Sequence, residues 1–408
     1  MQEPPILLRP RITCGWPLLL LVCGVIFLDS VGYGVIVPVL PLYAKSLGIS
    51  DFANGLLFAT YAIALCLAAI PFGVLSDRIG RKPLVLFGMF AMAGAFVLYA
   101  FAKSYEMLFL ARVVDGLTAA ATWSAALALL GDRFEEKEMG RRIGWAMAAA
   151  ALGGIAGPLV GGILSDTLGY RAPFYAIAIA CFAGGVVAIF LHEGREVKRA
   201  RSFGWQLLKP VFTNRKVLIA CVITLVTTMG LGLLEPTLPI YFKNTFGMTS
   251  TGIGIVFGVT MLFYAAASPV AGKLSDTVGR KAPILFGLAC TAVVTPFIAV
   301  FKSLPAVYVM MGLFGAAIAF FGTPSVPLIT DTLPRSGGLG QGNQYGAAFG
   351  LLNFCWSLGY ALGPILGGAL MGWVGLLAAL VVYSALLVVL IFVVWVMLPG
   401  AETSGAEA

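Results

Sequence analysis

The sequence predicts an all-α membrane protein: twelve transmembrane helices arranged as two parallel-repeat six-helix bundles. Composition, a series of twelve apolar runs and an internal repeat carry that prediction. Of 408 residues, 60% are apolar and 11% are charged, and the charged share is roughly half that of an average soluble domain. A soluble fold of this size would need a charged exterior that the chain lacks. A spanning helix uses about 20 apolar residues, so twelve use about 240, close to 60% of 408. This argues against a soluble enzyme, a disordered protein or a nucleic-acid binder. Continuous rather than alternating apolar runs argue against a porin-like barrel.

The runs are taken in order. The first, about 17–43, carries Asp29, Pro38 and Pro41, and lacks a small-residue cleavage site, so it reads as a spanning helix rather than a removable signal. Runs at about 55–75 and 84–102 flank the charged turn that ends at Pro83. The fourth, 107–131, holds Arg112 and Asp115, the fifth, 143–164, is rich in glycine, and the sixth is 172–191. Runs at 217–242, 252–274, 284–301, 306–330, 344–372 and 376–398 complete the set. Most connections are short; the exception, 192–216, is a charged loop that separates a bundle at 1–191 from one at 217–408.

The formal charge is +8, but its distribution says more than its sum. The N-terminal tail and the even-numbered loops carry 20 of the 26 lysines and arginines, the odd-numbered loops carry five, and Arg112 lies inside a span. That bias places both termini and the 192–216 loop in the cytoplasm. No Asn-x-Ser/Thr sequon is present, which favours a bacterial plasma membrane. The seven cysteines are scattered without a CxxC and read as small core residues, and His192, the single histidine, reads as solvated.

The halves repeat at an offset near 199 residues. Gly73-Val-Leu-Ser-Asp77-Arg-Ile-Gly80-Arg81-Lys82-Pro83 recurs as Gly272-Lys-Leu-Ser-Asp276-Thr-Val-Gly279-Arg280-Lys281-Ala282. Pro38-Val-Leu-Pro41-Leu-Tyr43 recurs as Pro236-Thr-Leu-Pro239-Ile-Tyr241, and Gly157-Pro158-x-x-Gly161-Gly162 as Gly363-Pro364-x-x-Gly367-Gly368. Six spans is an even number, so both copies keep one orientation and a binding site is expected between them near midplane.

These residues resemble the major facilitator superfamily. The two charged loops and the run Gly153-Gly154-Ile-Ala-Gly157-Pro158-Leu-Val-Gly161-Gly162 look like its signatures, the latter like that of its drug:proton antiporter branch. Leu28-Asp29 ahead of Pro38, and Leu234-Glu235-Pro236-x-Leu-Pro239, are similar to vesicular amine transporters and their bacterial multidrug relatives. The resemblance implies a latch in which Asp77, Arg81 and Lys82, with Gly73 and Gly80, hold the cytoplasmic side closed. Arg81 is expected to pair with Asp132, and the second copy is expected to act through Asp276, Gly279, Arg280 and Lys281. It also implies an antiporter role for Gly153, Gly157, Pro158, Gly161 and Gly162, with Gly363 and Pro364 as the second copy, either bending or only packing tightly.

Charges inside spans are costly and usually mark a pathway, a pair or a proton relay. Asp29 and Glu235 supply one acid per half, suited to a proton or a cation, and both are expected to face the central cavity. Arg112 and Asp115, three apart, share a helix face. The family pattern there is Arg-x-x-Gln-Gly, so Asp115 is either a structural partner of Arg112 or an added proton site. Where the vesicular amine transporters carry acids, this chain has Gly322 and Asn353. Tyr33, Trp123, Tyr345 and Trp356 are aromatic candidates for the cavity or for packing.

The expected function is a proton-coupled antiporter exporting amphipathic, cationic small molecules such as lipophilic drugs. It would need protons, a bilayer and no cofactor, and would act as a monomer. The alternatives are a proton symporter importing a sugar or other nutrient, and a non-transporting sensor of the same fold. No His/Cys cluster, Ser-His-Asp set or phosphate loop points to an enzyme.

Overall fold

The computed structural model describes residues 15–134, 136–190, 214–330 and 341–398. Cys14, His192, most of the 192–216 loop and Arg335 lie outside these residues, as does the side chain of Tyr345. Among the described residues there are twelve membrane-length apolar helices. They are α1 (Gly15–Ser46), α2 (Asp51–Ile79), α3 (Arg81–Phe101), α4 (Tyr105–Arg133), α5 (Glu136–Leu168) and α6 (Ala172–Ile189). The second half supplies α7 (Arg215–Phe246), α8 (Ser250–Val278), α9 (Lys281–Val300), α10 (Leu304–Thr330), α11 (Gln341–Val374) and α12 (Leu376–Met397).

Most helices extend a few residues past the apolar runs, and polar side chains cap some of them. Ser50 accepts the Ala53 N–H at the start of α2, and Thr249 accepts the Gly252 N–H at the start of α8. The turns into α3 and α9 pass through Gly80 and Gly279, at φ +98° and +85°. Side chains rarely adopt that region, which explains the glycine at equivalent places in the two charged loops.

The packing repeats as the sequence does. In the first half α1 lies on α5, α2 on α4, and α3 on α4 and α6; in the second, α7 lies on α11, α8 on α10, and α9 on α10 and α12. The halves meet where α2 crosses α11 and α5 crosses α8, with α1 and α7 touching at the centre. The outward surface is apolar: Leu67, Ile70, Ile179 and Trp373 are all more than two-thirds exposed. In water this would be an aggregation surface, whereas in lipid it costs nothing, and the chain is an integral multi-pass membrane protein.

Contact between the halves is concentrated at the face bearing the odd-numbered loops. A Cβ on Gly55 of α2 would run into the Pro364 carbonyl of α11, and one on Gly254 of α8 into the Pro158 carbonyl of α5. Gly162 and Gly368 similarly abut Ser250 and Asp51. At the other end of the same four helices, a Cβ on Gly73, Gly140, Gly144 or Gly350 would meet nothing within 4 Å, and one on Gly272 only the Thr323 methyl at 3.9 Å. The structure is therefore closed at the odd-loop face and parted at the even-loop face. Gly73, one of the glycines of the charged loop, therefore borders open space in this state.

One carboxylate fastens the closed face. Asp166, at the end of α5, accepts the Ser250 N–H at 3.0 Å and the Thr251 N–H at 2.7 Å, capping α8 of the opposite half. Asp166→Ala removes both bonds and should shift the population at least tenfold toward opening at this face, since each hydrogen bond to a charged group contributes about 1.5–3 kcal/mol. Distances between spin labels on the odd-loop ends of α5 and α8 should lengthen; an unchanged distribution contradicts this.

Candidate functional site: buried charges where the halves meet

The charged loop forms a compact junction at the even-loop face. Arg81, the first residue of α3, ion-pairs with Asp77 at the end of α2, donates to Ser76 Oγ at 2.9 Å, and reaches Asp132 at the end of α4 at 2.9 Å. Lys82 donates to the Ile189 carbonyl of α6. In the second half Arg280 binds Asp276 and Ser275, and Lys281 donates to the Trp395 carbonyl of α12. Each junction thus ties helix ends within its own half. Such partly exposed pairs contribute about 1 kcal/mol or less, so Asp77→Asn should leave thermal stability near wild type while lowering transport several-fold. Full transport by a well-expressed Asp77→Asn protein would contradict a gating role.

The glycine run of α5 packs against α1. A Cβ on Gly153 would come 2.7 Å from the Phe27 carbonyl, on Gly157 2.6 Å from the Val31 carbonyl, and on Gly161 2.9 Å from Val35. The glycines recur every fourth residue, on one stripe, and let two backbones touch. Pro158 lies within an unbroken α5. In the second half, Gly363 and Gly367 abut Met229 and Leu233 of α7 in the same way. The two stripes hold in place α1 and α7, the helices that carry Asp29 and Glu235.

Arg112 is fully buried on α4. Its guanidinium donates from Nε to the Leu57 carbonyl at 3.0 Å, from Nη2 to the Phe58 carbonyl at 3.3 Å, and from Nη1 to Asp115 Oδ2 at 3.3 Å. The carbonyls belong to α2 and use their second lone pairs. The guanidinium also lies 4.8, 5.1 and 5.8 Å from the ring centres of Tyr61, Phe58 and Tyr33. Asp115 further accepts the Tyr99 hydroxyl at 3.1 Å. A buried charge needs partners, and this one has a carboxylate, two carbonyls and aromatic faces.

Glu235 of α7 is also buried and accepts the Tyr33 hydroxyl of α1 at 2.6 Å. This bond crosses between the halves. Beside it, Asn54 of α2 donates from Nδ2 to the Pro236 carbonyl at 3.1 Å. Tyr33 stands 5.0 Å from Tyr61 and edge-on, 6.2 Å, to Tyr360 of α11, which in turn lies 4.5 Å from Trp356. Asp29, four residues before Tyr33 on the same face of α1, turns instead to α4: Trp123 Nε1 donates to it at 2.7 Å and Thr122 Oγ1 at 3.3 Å. The two acids therefore sit in one buried region, with Tyr33 rather than Asp29 against Glu235.

Asn353 and Gly322 line a separate cavity of about 210 Å³ in the second half, with Trp356 at its wall. Sequence reasoning missed Asn54, Tyr61, Tyr99, Tyr360 and Asp166. All are polar or aromatic residues that acquire a role only through a partner on another helix.

Comparison with known proteins assigns the chain to a family. A model described as Major Facilitator Superfamily matches residues 22–229 and 220–408. A probable vesicular acetylcholine transporter-B of Danio rerio is 28% identical over 371 residues, covering 86% of this chain and 73% of that protein. The MFS-type transporter SLC18B1 of Mus musculus is 27% identical, covering 84% and 77%. The synaptic vesicular amine transporter of Rattus norvegicus is 26% identical, covering 79% of this chain and 62% of its own length. Among solved structures, a bacterial homolog of the human lysosomal transporter Spinster, inward-facing and unoccupied, superposes with a TM-score of 0.80 at 15% identity, covering 94% of this chain and 96% of that one. With a family match across nearly all of its length and the corresponding twelve-helix fold, this chain belongs to the major facilitator superfamily of transporters.

Proposed function

We propose that this transporter is a proton-coupled antiporter that exports amphipathic, cationic small molecules by alternating access. The observation that carries the reading is the buried hydrogen bond from Tyr33 to Glu235, because it joins a carboxylate of one half to a hydroxyl of the other. A cation or a proton arriving at Glu235 competes with that bond, so loading the carboxylate alters the contact between halves. Asp29, held by Trp123 and Thr122 one turn from Tyr33, supplies the second carboxylate. A carboxylate carries either a proton or a cation, and exchanging one for the other is the simplest route to antiport. Arg112 and Asp115 form the fixed charges behind Tyr33 and Tyr61.

The lysine and arginine bias supports the even-loop face as cytoplasmic, which makes the structure inward-open, with the charged loops around Asp77 and Asp276 parted on the open side. Likeness to the two vesicular transporters, named for acetylcholine and for amines, supports a cationic substrate. The glycine run of α5 supports antiport over import, and the sequence pattern supports a bacterial plasma membrane. The assignment needs no cofactor and no second subunit.

Purified protein in liposomes, given an imposed pH gradient and a panel of lipophilic cations, matched neutral compounds and sugars, tests the reading. Cation movement against the proton flow, abolished by an uncoupler, is the expected result. Proton-driven sugar uptake, or no gradient-dependent transport, would overturn it.

A further inference from the structure

We infer that Cys221 of α7 and Cys355 of α11 form a dithiol site, which an organic hydroperoxide closes into a disulfide that fixes the two helices to each other. Neither thiol has a part in the proposed exchange of proton for cation.

The register of the two helices brings the thiols together. On α11, Gly359, Gly363 and Gly367 recur every fourth residue. A Cβ on Gly359 would run into the Leu225 carbonyl and Thr228 Oγ1, and one on Gly363 into the Met229 carbonyl. A Cβ on Gly367 would lie 2.8 Å from the Leu233 carbonyl. The facing places on α7 are thus 225, 229 and 233, again four apart. The two series ascend together, so one further turn back sets Cys355 against Cys221. There the thiols share a hydrogen bond, and neither is in a disulfide. Helices that approach this closely suit the Cα separation of about 4.4–6.8 Å that a disulfide needs.

The repeat supplies the comparison. In the first half the stripe of Gly153, Gly157 and Gly161 meets Phe27, Val31 and Val35. One turn back stand Ala149 on α5 and Cys23 on α1. The cysteine of α7 therefore has a counterpart on α1, whereas alanine occupies the place that matches Cys355. A close helix crossing needs no second cysteine there, and the facing thiols are a feature of the second half.

Exposure gives each sulfur a role. Cys221 is 3% exposed and Cys355 is partly exposed, so the oxidant meets Cys355 first. The Cys355 sulfur attacks a peroxide oxygen, the O–O bond breaks and an alcohol leaves, which makes a sulfenic acid. The Cys221 sulfur then attacks the Cys355 sulfur, water leaves and the S–S bond forms. Together the thiols give up two protons and two electrons, and the hydroperoxide is reduced to alcohol and water. A dithiol reductant reverses the reaction by exchange. The glycine stripe gives α7 no side chains on α11 to interlock with, so the bridge adds a restraint that packing lacks. It acts on the helices that carry Glu235 and Tyr360.

The test treats purified full-length protein in liposomes with cumene hydroperoxide, which reaches the site from lipid or water. A peptide cross-link between Cys221 and Cys355 should appear, and the denatured protein should lose two of its seven free thiols. Dithiothreitol should restore both. Cys355→Ala, which places in the second half the residue found at 149 in the first, should fold normally and give no cross-link; Cys221→Ala is the second variant should it fold poorly. Amide hydrogen exchange at the even-loop end of α7 should slow several-fold in oxidised wild type and stay unchanged in oxidised Cys355→Ala. Wild type that keeps all its thiols, or that gains only a sulfinic acid at Cys355, overturns the dithiol site. A bridge that leaves hydrogen exchange unchanged overturns the fixing of α7 to α11.

Discussion

Glu235→Gln abolishes pH-driven efflux of cations while the protein still folds: this is the largest effect expected of any single substitution here. The amide has nearly the shape of the carboxylate and can still accept the Tyr33 hydroxyl that now lies 2.6 Å from Glu235 Oε2. What it cannot do is attract a cation or take up and release a proton. Transport should fall to the background of empty liposomes, with the melting temperature within a few degrees of wild type. Cationic substrates should suffer more than neutral ones. Efflux above half the wild-type rate would remove Glu235 from the transport cycle. Asp29→Asn should act differently, because Asp29 is held within the first half by Trp123 and Thr122. It should uncouple cation binding from pH.

The second large effect is on folding. Arg112→Ala strands Asp115 in the interior, where only the Tyr99 hydroxyl would remain from its side-chain donors among the described residues. Removing one partner of a buried pair typically costs about 3–5 kcal/mol, whereas replacing both is often nearly neutral. Yield and melting temperature should therefore drop sharply in Arg112→Ala and recover substantially in the Arg112→Ala/Asp115→Ala double variant. A stable single variant would contradict the network. Asp115→Gln restores the family pattern and separates the two readings of that residue. Retained coupling makes Asp115 a structural partner, whereas lost coupling with intact substrate binding makes it a proton site.

The twelve helices were legible because each is a long apolar run, and lipid imposes that pattern independently of tertiary detail. The repeat was legible because Gly80 and Gly279 need the same unusual backbone and Gly157 and Gly363 the same close helix approach. Within the site, pairs close in sequence could be anticipated, as with Arg112 and Asp115, and the charged loop suggested Asp132 for Arg81. Contacts between distant helices could not. Nothing in the spacing assigns Tyr33 to Glu235, Asn54 to the Pro236 carbonyl, or Trp123 to Asp29. Helix rotation decides them, and rotation is set by packing such as the glycine stripe of α5 on α1. The open even-loop face was equally invisible, since one sequence serves every state of the cycle.

Proton release on cation binding tests the central claim most directly. In weakly buffered solution, purified transporter should release protons when a lipophilic cation is added, and cation affinity should weaken steadily as the solution is acidified. Both effects should vanish in the Asp29→Asn/Glu235→Gln double variant. Cation binding with no proton release, and with an affinity independent of pH, would contradict exchange of proton for cation at these carboxylates.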